Sequence, residues 1–191
     1  MKYVSTRNNQ IELGFKDVFI KGLSEEGGLF VPKTLEAYNE QDLNDFKKLN
    51  YNDLALKILH PFCRDFIDEN NLKIIIEKSY SKFREKEVIK ITNLENLKLL
   101  ELYHGPTLAF KDIAMQFIGN LYQYYLNKNK DFLNIIVATS GDTGAAAIDA
   151  IKGKKNMNIF VLHPNNKISK VQRKLMTTVT ENNVFNIAVE G

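Results

Sequence analysis

Lys111 is the residue whose setting is hardest to explain as plain surface. It opens a helix predicted over residues 111–126, with Phe110 before it and the apolar pair Ile113 and Ala114 after it. A helix N-terminus favours negative charge by a few tenths to about 1 kcal/mol, so a cation there is electrostatically misplaced. Apolar surroundings and that positive bias both favour the neutral amine, which is a nucleophile toward an aldehyde. This is what a Schiff-base lysine needs. The residue alone leaves the other reading open, because a lysine near a helix start is commonly an exposed side chain.

The second candidate is the loop at residues 139–144 (TSGDTG). It follows an apolar strand and opens a helix of small residues. Free backbone N–H groups at such a start, with the Ser140 and Thr143 hydroxyls, form an anion pocket. Gly141 and Gly144 let the backbone approach a ligand closely. The spacing is neither that of a P-loop nor GxGxxG. The competing reading is a capped turn with Asp142 or Thr143 as the N-cap, and the Asp142 carboxylate would repel a bare phosphate.

The three histidines, His60, His104 and His163, show no metal-ligand spacing, so no metal site is expected. His60 reads as structural, His163 as satisfied or exposed at a strand end, and His104, beside the lysine loop, as open between pocket and structural roles. Cys63, the one cysteine, falls on the apolar face of a helix and excludes an internal disulfide or a CxxC pair.

The elements that must carry these residues fall into two parts, 1–85 and 86–191. The first opens with an extended piece (KYVSTR), a helix over 15–20 and a turn at Gly27 and Gly28 leading into LFVP. It is mainly helical after that. Tyr51, Leu54, Ala55, Ile58, Leu59, Phe62, Cys63 and Phe66 recur at helical spacing, with Pro61 expected to kink or split the helix. A further helix is predicted over 72–83, entered through Asn70 and Asn71. The second part alternates: a hairpin (88–92 and 97–102), the lysine helix with a stripe of Phe110, Ile113, Ala114, Phe117, Ile118 and Leu121, then strands at 133–138, 158–163 and 184–189 separated by helices. Strand and helix in alternation predict a parallel sheet, and the apolar strands read as buried on both faces.

A length of 191 residues, 44% hydrophobic and 26% charged, suits a soluble globular protein. The net charge of +3 is small and its lysines are scattered, which argues against nucleic acid as a partner. No apolar run reaches the length of a membrane span or makes a signal peptide, so the expected compartment is the cytoplasm.

Residues 104–112 (HGPTLAFKD), with Gln116 one turn on, resemble the cofactor-lysine motif of the threonine synthases. Residues 138–144 (ATSGDTG) are similar to that family's substrate loop, and 3–7 (YVSTR) and 22–32 (GLSEEGGLFVP) to its N-terminal segment. The four matches fall in the family's order, and the resemblance covers essentially the whole chain. The resemblance implies an α/β fold, in which a helical N-terminal region precedes part of a parallel-sheet pyridoxal-phosphate domain of fold type II. It implies conversion of O-phospho-L-homoserine and water to L-threonine and phosphate. Carried over by position, Lys111 would hold pyridoxal phosphate and act as acid and base. Ser140, Gly141, Asp142 and Thr143 would meet the substrate carboxylate and the cofactor ring, with Asp142 near the ring hydroxyl. Family members are more than twice this long, and the terminal strand at 184–189 reads as part of a truncated sheet. The alternative reading is a non-catalytic remnant or binding module of the same fold.

Overall fold

The computed structural model of the chain describes residues 1–190. β1 (Lys2–Ser5) is the centre of a small antiparallel sheet, with β2 (Glu12–Gly14) on one side and β3 (Phe30–Pro32) on the other. α1 (Phe15–Lys21) follows β2 directly, and its Phe15 N–H donates to Asp65 Oδ2 at 3.1 Å. Phe15 stacks on Phe19, and both rings lie against Phe66. α2 (Glu40–Phe46) starts in a capping box between Asn39 and Asp42, and α3 (Tyr51–Cys63) is capped by Asn50. α3 runs through Pro61 and stops two residues later, so the proline sits in the last turn instead of splitting the helix. Tyr3 is buried, donates its hydroxyl to Phe62 O at 2.8 Å and has its pKa pushed up to about 12 by burial. α4 (Glu69–Tyr80) begins three residues before the predicted position, because the Asp68 carboxylate, rather than Asn70 or Asn71, accepts from the Asn71 N–H. The chain divides into two compact units between Ile76 and Glu77, inside this helix.

The second unit opens with the hairpin of β4 (Lys90–Leu94) and β5 (Leu97–Glu101), paired Leu94 to Leu97 across a two-residue turn. α5 (Lys111–Asn129), β6 (Leu133–Ala138), α6 (Asp142–Ile151), β7 (Met157–Pro164), α7 (Lys170–Thr177) and β8 (Val184–Val189) complete it. The three last strands pair in parallel in the order β6-β7-β8. A sheet that grows steadily in one direction with crossovers of one hand carries its crossover helices on one face. That face holds the core: Leu126 of α5, Ala145, Ile148 and Ile151 of α6, Ile159 and Val161 of β7, and Met176 of α7. The opposite face is open, with Ile136 73% exposed and Phe185 and Ile187 also exposed. Among the described residues, the strands expected to be buried on both faces are covered by helices on one. Among the described residues, no helix is long and apolar enough to cross a membrane.

α5 departs furthest from its predicted packing. Phe110 and Ala114 of the apolar stripe are exposed, and the buried face carries Asp112, Gln116, Gly119 and Asn120. Each of these polar side chains has a bonded partner, which is what makes its burial tolerable.

Candidate functional site

Lys111 is the first residue of α5, half-buried, with Nζ 4.9 Å from the centre of the exposed Phe110 ring. Its position is fixed by the next residue. Asp112 is fully buried, and its carboxylate accepts the Thr107 N–H at 2.8 Å and the Thr107 hydroxyl at 2.6 Å. Burial pushes its pKa up, against the opposing pull of these bonds. The lead-in loop is folded over that carboxylate so closely that a Cβ on Gly105 would lie 2.5 Å from Asp112 Oδ2. Glycine is thus required at 105 by contact alone. Further back, His104 Nε2 is 2.9 Å from Glu101 Oε2, and Thr92 donates to the other oxygen of Glu101 at 2.5 Å. The Thr92 bond is the main cause of a lowered Glu101 pKa. His104 is held to the hairpin, and His163 is buried with no partner for Nδ1 among the described residues, contrary to its reading as satisfied or exposed.

The 139–144 loop turns at Gly141, whose φ of +154° is a conformation that L side chains rarely adopt. Neither Asp142 nor Thr143 caps α6. That role falls to Thr139, whose hydroxyl oxygen accepts from the Gly141 and Gly144 N–H groups at 3.0 and 3.1 Å. The N–H groups of Asp142 and Thr143 are left without a partner among the described residues, in the first turn of the helix, where its dipole is positive. Ser140 and Asp142 are exposed and Thr143 half-buried. Gln172 Nε2 donates to Asp142 Oδ1 at 2.7 Å, and Gln172 is itself tied to Ser169 at the start of α7.

Contacts of α5 with α6 and with the turn after it place the two candidates at one end of the unit. Gln116 donates to Asp149 at 2.8 Å, Gly119 packs on the Ala150 carbonyl, and Lys154 donates to Asn120 at 2.6 Å. Gln123 exchanges two 3.0 Å bonds with the Lys155 backbone. Partner numbers rise together, so the helices run parallel. Their N-termini, Lys111 on one and the 139–144 loop on the other, lie at the carboxyl end of β6, the end where open α/β sheets bind ligands.

A family model described as the threonine synthase N terminus matches residues 2–80. It is 42% identical along its whole length to the threonine synthase of Pseudomonas aeruginosa. It matches the solved threonine synthase of yeast with a TM-score of 0.94 at 41% identity, again over all of this chain. The chain matches the N-terminal portion of the threonine synthases. It spans about 41% of the Pseudomonas protein and 40% of the yeast structure. A PLP-bound threonine synthase from Brucella melitensis superposes with a TM-score of 0.93 at 38% identity and is covered to 41%.

The residues missed by sequence reasoning are those that hold this threonine-synthase-like motif in shape: Gly105, Thr107 and Asp112 around the loop, and Gln172 behind Asp142. Asp112, Gln116 and Asn120 do recur every four residues. That polar ladder was visible, but such a ladder ordinarily marks a solvated face.

Proposed function

We propose that this chain forms the N-terminal part of a pyridoxal-phosphate-dependent threonine synthase. The protein would release phosphate from O-phospho-L-homoserine and add water to give L-threonine, in the cytoplasm. The observation that carries the reading is the shared placement of Lys111 and the two open N–H groups of Asp142 and Thr143 at one end of α5 and α6. An amine and an anion pocket side by side fit a cofactor bound through an aldehyde and a substrate bearing a carboxylate.

Lys111 would attach the cofactor through Nζ and carry a proton to and from the substrate carbons at the same atom. Asp112 does not reach the reaction. Its buried carboxylate fixes the loop and the first turn of α5, and so the direction of Lys111. The Ser140 and Thr143 hydroxyls and the Asp142 and Thr143 N–H groups would bind the substrate carboxylate, and Gly141 leaves room for its close approach. Asp142, braced by Gln172, would stand near the ring hydroxyl. Pyridoxal phosphate, when bound, supplies an electron sink for carbanions at the amine-bearing carbon and at the carbon next to it.

Borohydride reduction of the full-length protein with one equivalent of pyridoxal phosphate, followed by peptide mapping, tests the assignment. The adduct is expected on Lys111 and absent in Lys111→Ala. A mapped adduct elsewhere with Lys111 unmodified overturns it.

A further inference from the structure

The anion pocket at the head of α6 carries its own competitor. Asp142 supplies one of the two open N–H groups and bears a carboxylate on the same residue. A helix N-terminus attracts negative charge, so an untied carboxylate there would settle over the N–H groups that a ligand needs. In the structure it does not. Among the described residues no loop N–H donates to either Asp142 oxygen, and the bond that Asp142 does accept comes from α7, where Gln172 Nε2 lies 2.7 Å from Oδ1.

Gln172 is held in the one orientation that can donate. Its Oε1 accepts the hydroxyl of Ser169, the N-cap of α7, at 2.9 Å, and its own N–H donates to the same Oγ at 3.2 Å. A flipped amide would turn Oε1 toward the Asp142 carboxylate, oxygen against oxygen. The half-buried side chain also lies on Gly141, where a Cβ would come within 2.5 Å of Cδ and Nε2. Gln172 therefore grips two successive residues of the loop, one by contact and one by a bond.

On the reading of residues 139–144 as the substrate loop, we propose that Gln172 is a positioning residue for substrate binding. It holds the Asp142 carboxylate off the Asp142 and Thr143 N–H groups and so leaves them for the substrate carboxylate. In this role Gln172 acts through Asp142 and makes no contact of its own with the substrate. Release of the Asp142 carboxylate adds a rival anion at the helix terminus, where a single charge shifts an equilibrium by about two- to fivefold. The cost falls on substrate binding, while Lys111, on the other helix, keeps its capacity to take up the cofactor.

The experiment measures KM for O-phospho-L-homoserine by phosphate release in the full-length protein. Gln172→Met keeps the length of the side chain and loses its donor, and should raise KM about two- to fivefold. Gln172→Glu keeps the fit on Gly141 but sets a second carboxylate against Asp142, and should raise KM about fivefold or more. A side chain that only packed on Gly141 would tolerate that change. In the Asp142→Asn background the rise from Gln172→Glu should fall below about twofold, because the new amide can donate to the new carboxylate. Borohydride trapping at Lys111 should persist in both Gln172 variants, and its loss would mark a collapsed site and overturn the proposal. A Gln172→Glu KM within about twofold of the parent, or an equal rise in both backgrounds, also overturns it. If Thr143→Val still raises KM in that case, the substrate-loop reading stands and only the role of Gln172 falls; if Thr143→Val leaves KM unchanged, both fall.

Discussion

Replacing Gly105 by alanine tests whether the lysine loop is held by Asp112. The new Cβ would lie 2.5 Å from Asp112 Oδ2 and 2.8 Å from its Cγ, where ordinary contact begins near 3.4 Å. Loop and carboxylate must therefore separate by roughly 1 Å, and overpacking of this kind costs about 1–3 kcal/mol. The same movement stretches the Thr107 bonds to Asp112, and a hydrogen bond to a charged group contributes about 1.5–3 kcal/mol. A total loss on the order of 3–5 kcal/mol follows, read from urea unfolding of the full-length protein followed by circular dichroism. Thr107→Val, which removes one of the two bonds, should cost about 1.5–3 kcal/mol by itself. Because both substitutions act through the same carboxylate, the double variant should lose less than the sum. Gly105→Ala within about 0.5 kcal/mol of the parent, or strict additivity with Thr107→Val, would refute the account.

Thr143→Val should weaken phosphohomoserine binding roughly ten- to a hundred-fold while borohydride trapping at Lys111 persists, since it removes a donor to a carboxylate and leaves the lysine alone. Cys63 is buried, and burial pushes its thiol up to about 12, so thiol reagents at pH 8 should label it only as the protein unfolds. Its folded pKa lies above the ordinary thiol value of 9.0, so this group's contribution to stability is fully present below 9 and is lost as pH rises toward 12. The isolated 191-residue chain should bind apolar dye or self-associate through the open sheet face, and Ile136→Lys should reduce both in light scattering and dye fluorescence.

Element types were largely legible because they depend on local pattern. β6 and β8 fall where their apolar runs predict, and Ser169 caps α7 where its helical run begins. What the pattern could not carry was the choice of face. β6 has Ile135 half-buried and Ile136 exposed, although both are isoleucine, because the crossover helices cover one side only. On α5 the apolar period pointed to Phe110 and Ala114, and the polar period won because Gln116 and Asn120 find partners on other elements. Those partners, Asp149 and Ser79, are more than 30 residues away in the chain, beyond any local window. The candidate site was readable as Lys111 and the 139–144 loop. Its supports were not, since Gly105 against Asp112 and Gln172 against Asp142 are contacts that spacing alone does not announce.

The polar seam between α5 and α6 acts as a keyed joint. Two helices joined by leucines alone can settle in neighbouring registers at little cost, because apolar contact has no direction. Here Gln116 on Asp149, Asn120 on Lys154 and Gln123 on the Lys155 backbone each accept one setting, and Gly119 admits the Ala150 carbonyl at one height. A slip of one turn, about 5.4 Å, would break all of them together and strand buried amides. The seam therefore works as a ruler, fixing how far Lys111 stands along its helix from the loop at the head of α6, whatever the softer parts of the chain are doing.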